Sequence, residues 1–222
     1  MSVSPPTSEE ELLTRARNLA GLTLEQLAKK FNQPLPKNTT HAKGWMGQLL
    51  ETSLGATATS KAEPDFQLIN VELKTLPLTP SGKPKESTYV CTVPLTNLHE
   101  QEWSSCWLKR KLQRVLWLPL EADKRIPLAE RHIGSAILWS PSEEQSMQLQ
   151  QDWEELMELI SLGKLDQITS HMGHSLQIRP KGANAKALTT TLDEEGNTIQ
   201  TLPRGFYLRP DFTQEIIQAN YA

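Results

Sequence analysis

Apolar residues recur along this chain with two periods, and the change from one to the other marks where helices give way to strands. Near the N-terminus, leucines at helical spacing follow Ser8-x-x-Glu11 and then Thr23-x-x-Gln26. A hydroxyl residue three positions ahead of a carboxylate or amide can exchange hydrogen bonds with it across the first turn, so two short helices are expected, the first ended by Gly21. Pro34 and Pro36 make 32–37 a connector. A third helix over 45–54 ends at Gly55, and a run of small residues, 56–62, follows as a loop. The period then drops to two. Over 71–76 Val71, Leu73 and Thr75 alternate with Glu72 and Lys74, so a strand places the acid and the lysine on one face.

Segments 87–94, 114–120 and 133–139, rich in Val, Leu and Trp, read as further strands, with a turn at Pro80-Ser81-Gly82-Lys83-Pro84. Helical spacing returns over 140–162. Ser140 suits the N-cap, Pro141 the first position and Gly163 the stop, and Met147, Leu149, Trp153, Leu156, Met157 and Ile160 form the apolar stripe. The acids of that helix, from Asp152 to Glu158, then face solvent or a partner. Short strands over 176–179 and 205–209 and a final helix from Asp211 complete an α/β succession with no internal repeat.

Composition narrows the class. The 222 residues are 37% hydrophobic, enough for one substantial core or for two lobes. No run approaches the roughly 20 apolar residues that span a bilayer, and MSVSPPTSEEELL lacks a basic region followed by an apolar one. No membrane association and a cytoplasmic location are therefore expected. Cys91 and Cys106 are too few for a disulfide framework, and His171-x-x-His174 has no third ligand in view. The net charge of −3 speaks against binding nucleic acid by overall charge, but basic residues gather at Lys109-Arg110-Lys111-x-x-Arg114, Lys124-Arg125 and Arg179-Pro180-Lys181. Each is compatible with a solvated face, and three together fit a cleft for a polyanion.

The chemistry concentrates between Glu51 and Lys74. Asp65 precedes Glu72-Leu73-Lys74 by seven positions, and an acid on the preceding loop can converge with the strand acid on one hard cation. Mg²⁺ takes oxygen ligands, one or two carboxylates with water and phosphate making up the rest, and Asp65, Glu72 and the Leu73 carbonyl supply that need. Such a cation can neutralise developing phosphate charge and make a bound water a better nucleophile. Lys74 would orient or deprotonate that water, or stabilise the charged transition state. Glu51, on the 45–54 helix, could add a third carboxylate or be an ordinary surface acid. Acid-x-Lys is common, and by itself the pattern also suits a solvated strand face.

Six runs in order make the pattern specific: KGWMGQLLE at 43–51, Asp65-Phe66 through Val71-Glu72-Leu73-Lys74-Thr75, KLQRVLW at 111–117, DWEELM at 152–157, QIRPK at 177–181 and LPRGFYL at 202–208. Together they closely resemble the MutH family of DNA mismatch-repair endonucleases, over nearly the whole chain. The resemblance implies a restriction-endonuclease-like α/β fold, a mixed sheet flanked by helices, in a monomeric two-lobed clamp. A catalytic lobe of about 1–105 and a DNA-recognition lobe of about 106–222 are expected. It implies nicking of the unmethylated strand at hemimethylated GATC sites in double-stranded DNA, with Mg²⁺ (Mn²⁺ substituting), when MutL relays a mismatch detected by MutS. Carried over by position, Glu51, Asp65, Glu72 and Lys74 form the catalytic site and Lys111 acts near the scissile phosphate. Lys43, Glu86, Tyr89, Arg179, Pro180, Lys181 and Tyr207 fall at the DNA, Tyr89 standing where the family leads one to expect Phe. Tyr207, on the face opposite Phe206, is the candidate methyl sensor. A GATC-specific restriction enzyme and a DNA-binding module without catalysis are the alternatives. Activity without MutL would identify the first, and loss of the acids and lysine, all kept here, the second.

Overall fold

A computed structural model describes residues 3–36, 42–58, 63–181 and 187–221, so parts of the expected 32–37 connector and 56–62 loop lie outside the described residues. The chain divides into two compact units that interleave along the sequence: Met1–Glu86, Gln113–Ser140 and Ile216–Ala222 in one, Ser87–Leu112 and Pro141–Glu215 in the other. No single boundary along the sequence separates them.

The first unit opens with α1 (Glu9–Arg17) and α2 (Leu24–Lys30). Thr23 and Gln26 form a full capping box. Ser8 caps α1 through the Glu11 N–H, but the Glu11 carboxylate bonds instead to Thr7 and Arg15. The two helices and α3 (Ala42–Leu54) pack against a mixed sheet in the order β1 (Glu72–Leu78), β3 (Val115–Glu121), β4 (Ile137–Trp139). β1 and β3 run parallel, with Glu72 beside Val115 and Lys74 beside Trp117, and β4 is antiparallel to β3. The strand expected over 133–139 is shorter, because the Gly134 N–H turns to the Pro119 carbonyl and Ile133 makes only an isolated bridge with Leu120. β3 is buried for six residues in succession, as a strand covered on both faces must be. Leu12, Leu24, Leu27, Leu49, Leu50, Leu54, Phe66, Leu116 and Leu118 share the core between helices and sheet.

In the second unit, β2 (Thr88–Thr92), β8 (Arg204–Leu208) and β5 (Leu176–Pro180) form an antiparallel sheet with β8 in the middle. α4 (Trp107–Leu112), α5 (Glu143–Ser161) and a hairpin of β6 (Thr189–Leu192) and β7 (Thr198–Thr201) belong to the same unit. α6 (Pro210–Tyr221) begins in the second unit and ends in the first. Helix α5 starts two residues later than the sequence suggests. The Ser142 hydroxyl accepts the Gln145 N–H and the Gln145 side chain accepts the Ser142 N–H, whereas Ser140 donates to the Gln113 carbonyl. Met147, expected in the core, is 63% exposed, because it stands two residues before Leu149 and so falls off the buried stripe of Leu149, Trp153, Leu156 and Ile160.

Candidate active site

Asp65 and Glu72 come together through a tight reversal. Phe66 and Val71 exchange backbone hydrogen bonds of 2.9 and 3.3 Å, and Asn70 closes the turn in the left-handed region at φ 52°, which Asn tolerates better than most residues. The intervening residues are taken up in one helical turn, Gln67–Ile69. Asp65 is thereby brought back beside the start of β1, where its Oδ2 accepts the Leu73 N–H at 2.8 Å. The expected polar strand face is not solvated: Glu72 is 1% exposed, and its Oε1 lies 2.5 Å from the Lys74 ammonium, itself largely buried. Removing either partner of such a buried pair leaves the other polar group enclosed without its contact, which is costly.

Helix α3 is tied to the same place by its C-terminal segment. The Thr57 and Ala58 N–H groups donate to the Asp65 carbonyl at 2.9 and 3.3 Å. Arg15 donates to the Leu54 carbonyl at 3.0 Å and to the Ser4 carbonyl, holding the helix end from the other side. Glu51 is half-buried on the last turn of α3, its Oε1 on the side of Gly47. Among the described residues no three His, Cys, Asp or Glu side chains gather into a group that could hold a metal ion. What β1 and the preceding reversal offer is a pair of carboxylates, a lysine and backbone carbonyls. That hard-oxygen set suits a cation that keeps much of its water and takes further oxygens from a phosphate.

Two of the residues expected at DNA pair with each other here. Lys43 and Glu86 form an exposed ion pair at 2.6 Å. Lys111, in the second unit on α4, holds its ammonium 5.1 Å from the centre of the Trp107 ring. The remaining candidates share one sheet. Arg179 and Pro180 are exposed at the end of β5, Tyr207 is half-buried on β8, and Tyr89 lies directly opposite it on β2, their rings edge-on at 5.4 Å. Lys181 lies over the Tyr89 ring, 3.8 Å from its centre, and also donates to the Tyr89 hydroxyl. Phe206 is buried, as the alternation along β8 predicts. His171 and His174 are both exposed.

Asp152 was expected on the solvent side of α5 and is instead 2% exposed. Its carboxylate accepts the N–H groups of His174, Ser175 and Leu176 at 2.9, 2.6 and 2.7 Å, and a side-chain bond from Gln148. Arg209 grips the same segment from its carbonyl side, donating to Ser170, Met172 and Gly173. The signal was in the spacing: Asp152 stands three residues after Leu149 and four before Leu156, on the apolar stripe itself.

Comparison with known proteins adds an independent line. Residues 54–152 match a family model described as "DNA mismatch repair enzyme MutH". Three proteins named "DNA mismatch repair protein MutH" are similar along their whole length. The one from Vibrio cholerae serotype O1 is 51% identical over 217 residues, 98% of each chain. The one from Histophilus somni is 51% identical over 97% of this chain and 96% of that one, and the one from Photorhabdus laumondii 50% identical over 98% and 96%.

Proposed function

This chain belongs to the MutH family of DNA mismatch repair enzymes, and from that premise we propose that it is a Mg²⁺-dependent endonuclease that nicks the unmethylated strand at hemimethylated GATC sites, switched on by MutL after MutS has found a mismatch. The observation that carries the chemical part is the buried Glu72–Lys74 pair beside an Asp65 fixed to the Leu73 N–H. Asp65 and Glu72, with the Leu73 carbonyl, would hold the cation; Glu51, on the last turn of α3, does not gather with them into a three-acid group here and is assigned to the site by its position in the family alone. When bound, a divalent cation supplies charge for the phosphate oxygens and lowers the pKa of a coordinated water. Mn²⁺ would serve in its place, having the same preference for oxygen ligands.

The chain's own residues do the rest. The Asp65 carboxylate is held still by a backbone donor, so it needs little reorganisation when substrate arrives. Lys74 lies at hydrogen-bond distance from Glu72, where its side chain can steady the charge that develops on a scissile phosphate or orient the attacking water. Lys111, in the second unit, supplies a further ammonium for a phosphate, backed by the Trp107 ring. The first unit is then the catalytic one and the second the reader of DNA. There Arg179 has the planar fork that matches guanine O6 and N7, Tyr207 offers both a ring and a hydroxyl to the adenine N6 position, and Pro180, Lys181 and Tyr89 flank them. Lys43, paired with Glu86 here, would exchange that contact for one with a DNA phosphate, while the Glu86 carboxylate, which has no donor for a phosphate, could only accept from a base amino group.

Among the described residues no helix is long and apolar enough to cross a membrane; a monomer working in the cytoplasm fits this reading. The test is a nicking assay with purified protein, Mg²⁺ and supercoiled plasmids with and without GATC, MutL and ATP added or omitted. Nicking confined to GATC plasmids and dependent on MutL is expected. Cleavage of both strands without MutL would make the protein a restriction enzyme, and binding without any nicking a module that has lost catalysis.

A further inference from the structure

Gly205 is the second of the five residues of β8, the central strand of its sheet, where a glycine weakens the strand and leaves a gap in the side-chain layer. Its backbone does not require glycine, since it lies outside the left-handed region that Gly21, Gly55 and Gly163 occupy. The space above it explains the choice. A Cβ at this position would meet Tyr207 Cε2 at 2.9 Å and Tyr89 Cε2 and Cδ2 at 3.0 and 3.2 Å. Both ring edges occupy the volume that a side chain would fill.

The register shows what is gathered there. Gly205 lies opposite Arg179 on one neighbouring strand and Thr92 on the other, and Tyr207 lies opposite Gln177 and Tyr89. Directly opposed residues of antiparallel strands share a face, and so do residues two apart on one strand. Arg179, Tyr207, Tyr89 and Thr92 therefore surround the vacant position on one face. The cluster is closed by polar contacts: the Tyr89 hydroxyl is 3.1 Å from Thr92 Oγ1 and accepts from Lys181, whose ammonium also caps the ring. Two aromatic rings meeting edge to face, with a cation over one of them, favour one mutual arrangement.

We propose that Gly205 is a positioning residue for DNA reading: by lacking a side chain it lets Tyr89 and Tyr207 lie edge-on over the strand, which fixes both rings beside Arg179. Tyr89, Tyr207 and Lys181 then act as one preformed unit, and the Tyr89 hydroxyl, which a phenylalanine would lack, is what fastens Lys181 into it. This rests on the function proposed above, because it takes this face to be the one that meets DNA.

The chain has three tyrosines, Tyr89, Tyr207 and Tyr221, so uniform labelling with meta-fluorotyrosine gives a resonance for each. Gly205→Ala should move the fluorine resonances of Tyr89 and Tyr207 and leave that of Tyr221 in place. Nicking of hemimethylated GATC should fall about ten- to a hundred-fold, the loss that an ångström of misplacement causes, and binding of a GATC duplex without metal should weaken. The same substitution in a Tyr89→Ala, Tyr207→Ala background should change duplex binding by no more than about two-fold, because the groups it displaces are gone. If Gly205→Ala does not fold by itself, the ringless background should restore folding. Unmoved Tyr89 and Tyr207 resonances, an equal binding loss with the rings removed, or failure to fold in both backgrounds would overturn the proposal. Should the parent itself not nick GATC plasmids, the function reading fails, while the fluorine shifts and duplex binding still decide the role of Gly205.

Discussion

The Asp65 carboxylate accepts the backbone N–H of Leu73 at 2.8 Å, so the acid ahead of the reversal is fastened to the strand between Glu72 and Lys74. Asp65→Asn keeps the shape and an acceptor for that bond and removes the charge. Glu72→Gln does the same at the buried end of the Lys74 pair. Changes to residues that merely support metal ligands cost about 10- to 100-fold, so each of these substitutions should reduce nicking by more than that, with metal-free binding of a GATC duplex nearly unchanged. Nicking within a few-fold of the parent by either variant would remove these residues from the site.

Lys74 answers a different question, that of stability. Its ammonium lies 2.5 Å from a Glu72 carboxylate whose side chain is 2% exposed. Removing one partner of a buried pair typically destabilises by about 3–5 kcal/mol, whereas neutralising both is far milder. Lys74→Met should therefore lower the urea midpoint clearly, and Glu72→Gln combined with Lys74→Met should recover much of it while leaving nicking abolished. A double variant no more stable than Lys74→Met would mean that the pair is not what the single change disturbs.

Much of this was legible in the sequence, and the parts that were not share a cause. Capping residues and strand alternation are local, so α2, β1 and β8 follow from neighbours in the chain. The reversal that brings Asp65 to β1 was readable as a spacing and Asn70 as its turn residue only afterwards. Asp152 was misplaced because its charge outweighed its position on the apolar stripe. Ser140 and Ser142 flank the same proline and either suits the N-cap of α5, and only the Gln145 partner decides for Ser142. β6 and β7, Thr-Thr-Thr-Leu and Thr-Ile-Gln-Thr, hold one apolar residue each and left no alternating hydrophobic signal. Gly205 could not be found from sequence, since its reason lies in the meeting of two rings, Tyr207 on its own strand and Tyr89 on another.

Acid should loosen the first unit in a defined way. Arg114 holds both oxygens of Glu9 at 2.8 and 2.6 Å, and that hydrogen bonding, against a smaller opposing effect of burial, keeps the Glu9 carboxyl below its ordinary value of 4.5. The Arg114 carbonyl in turn accepts the Glu72 N–H, which ties the pair to the beginning of β1. A carboxylate whose pKa is lower folded than unfolded contributes stability that is complete above its unfolded value and lost as pH falls through the folded one. The contribution is modest, because the pair is partly exposed and screened by solvent. Glu9→Gln should lower the urea midpoint at neutral pH, and the difference from the parent should shrink as pH drops below about 4.5. A difference that stays constant down to pH 2 would assign the effect to packing rather than charge.

Asp152 fixes where β5 begins. Three backbone donors converge on a carboxylate that is 2% exposed, and each such charge-assisted bond contributes about 1.5–3 kcal/mol. Asp152→Ala leaves those N–H groups without their acceptor and should destabilise the protein by roughly 3 kcal/mol or more. Asp152→Asn keeps one acceptor oxygen and should fall between the two. Amide exchange at Ser175 and Leu176 should accelerate in the same order. Equal exchange rates in all three proteins would show that the turn is held by Arg209 alone.

Arg179 carries the distinction between reading a base and gripping a backbone. It is exposed at the end of β5, opposite Gly205 and next to Pro180, whose ring removes one conformational freedom from the strand end. A guanidinium that donates two parallel bonds to guanine O6 and N7 discriminates against a wrong base by about 1–3 kcal/mol, whereas one on a phosphate contributes equally to every sequence. Arg179→Ala should therefore narrow the preference for GATC over single-base variants at the guanine position by about 5- to 150-fold, with the salt dependence of binding little changed. Arg179→Lys, which keeps the charge but loses the planar fork, should recover little of that preference. If Arg179→Ala instead weakens binding to all sequences alike, and the slope of log affinity against log salt becomes shallower by about one, the side chain is a phosphate contact. Guanine reading would then have to come from another residue on the same face.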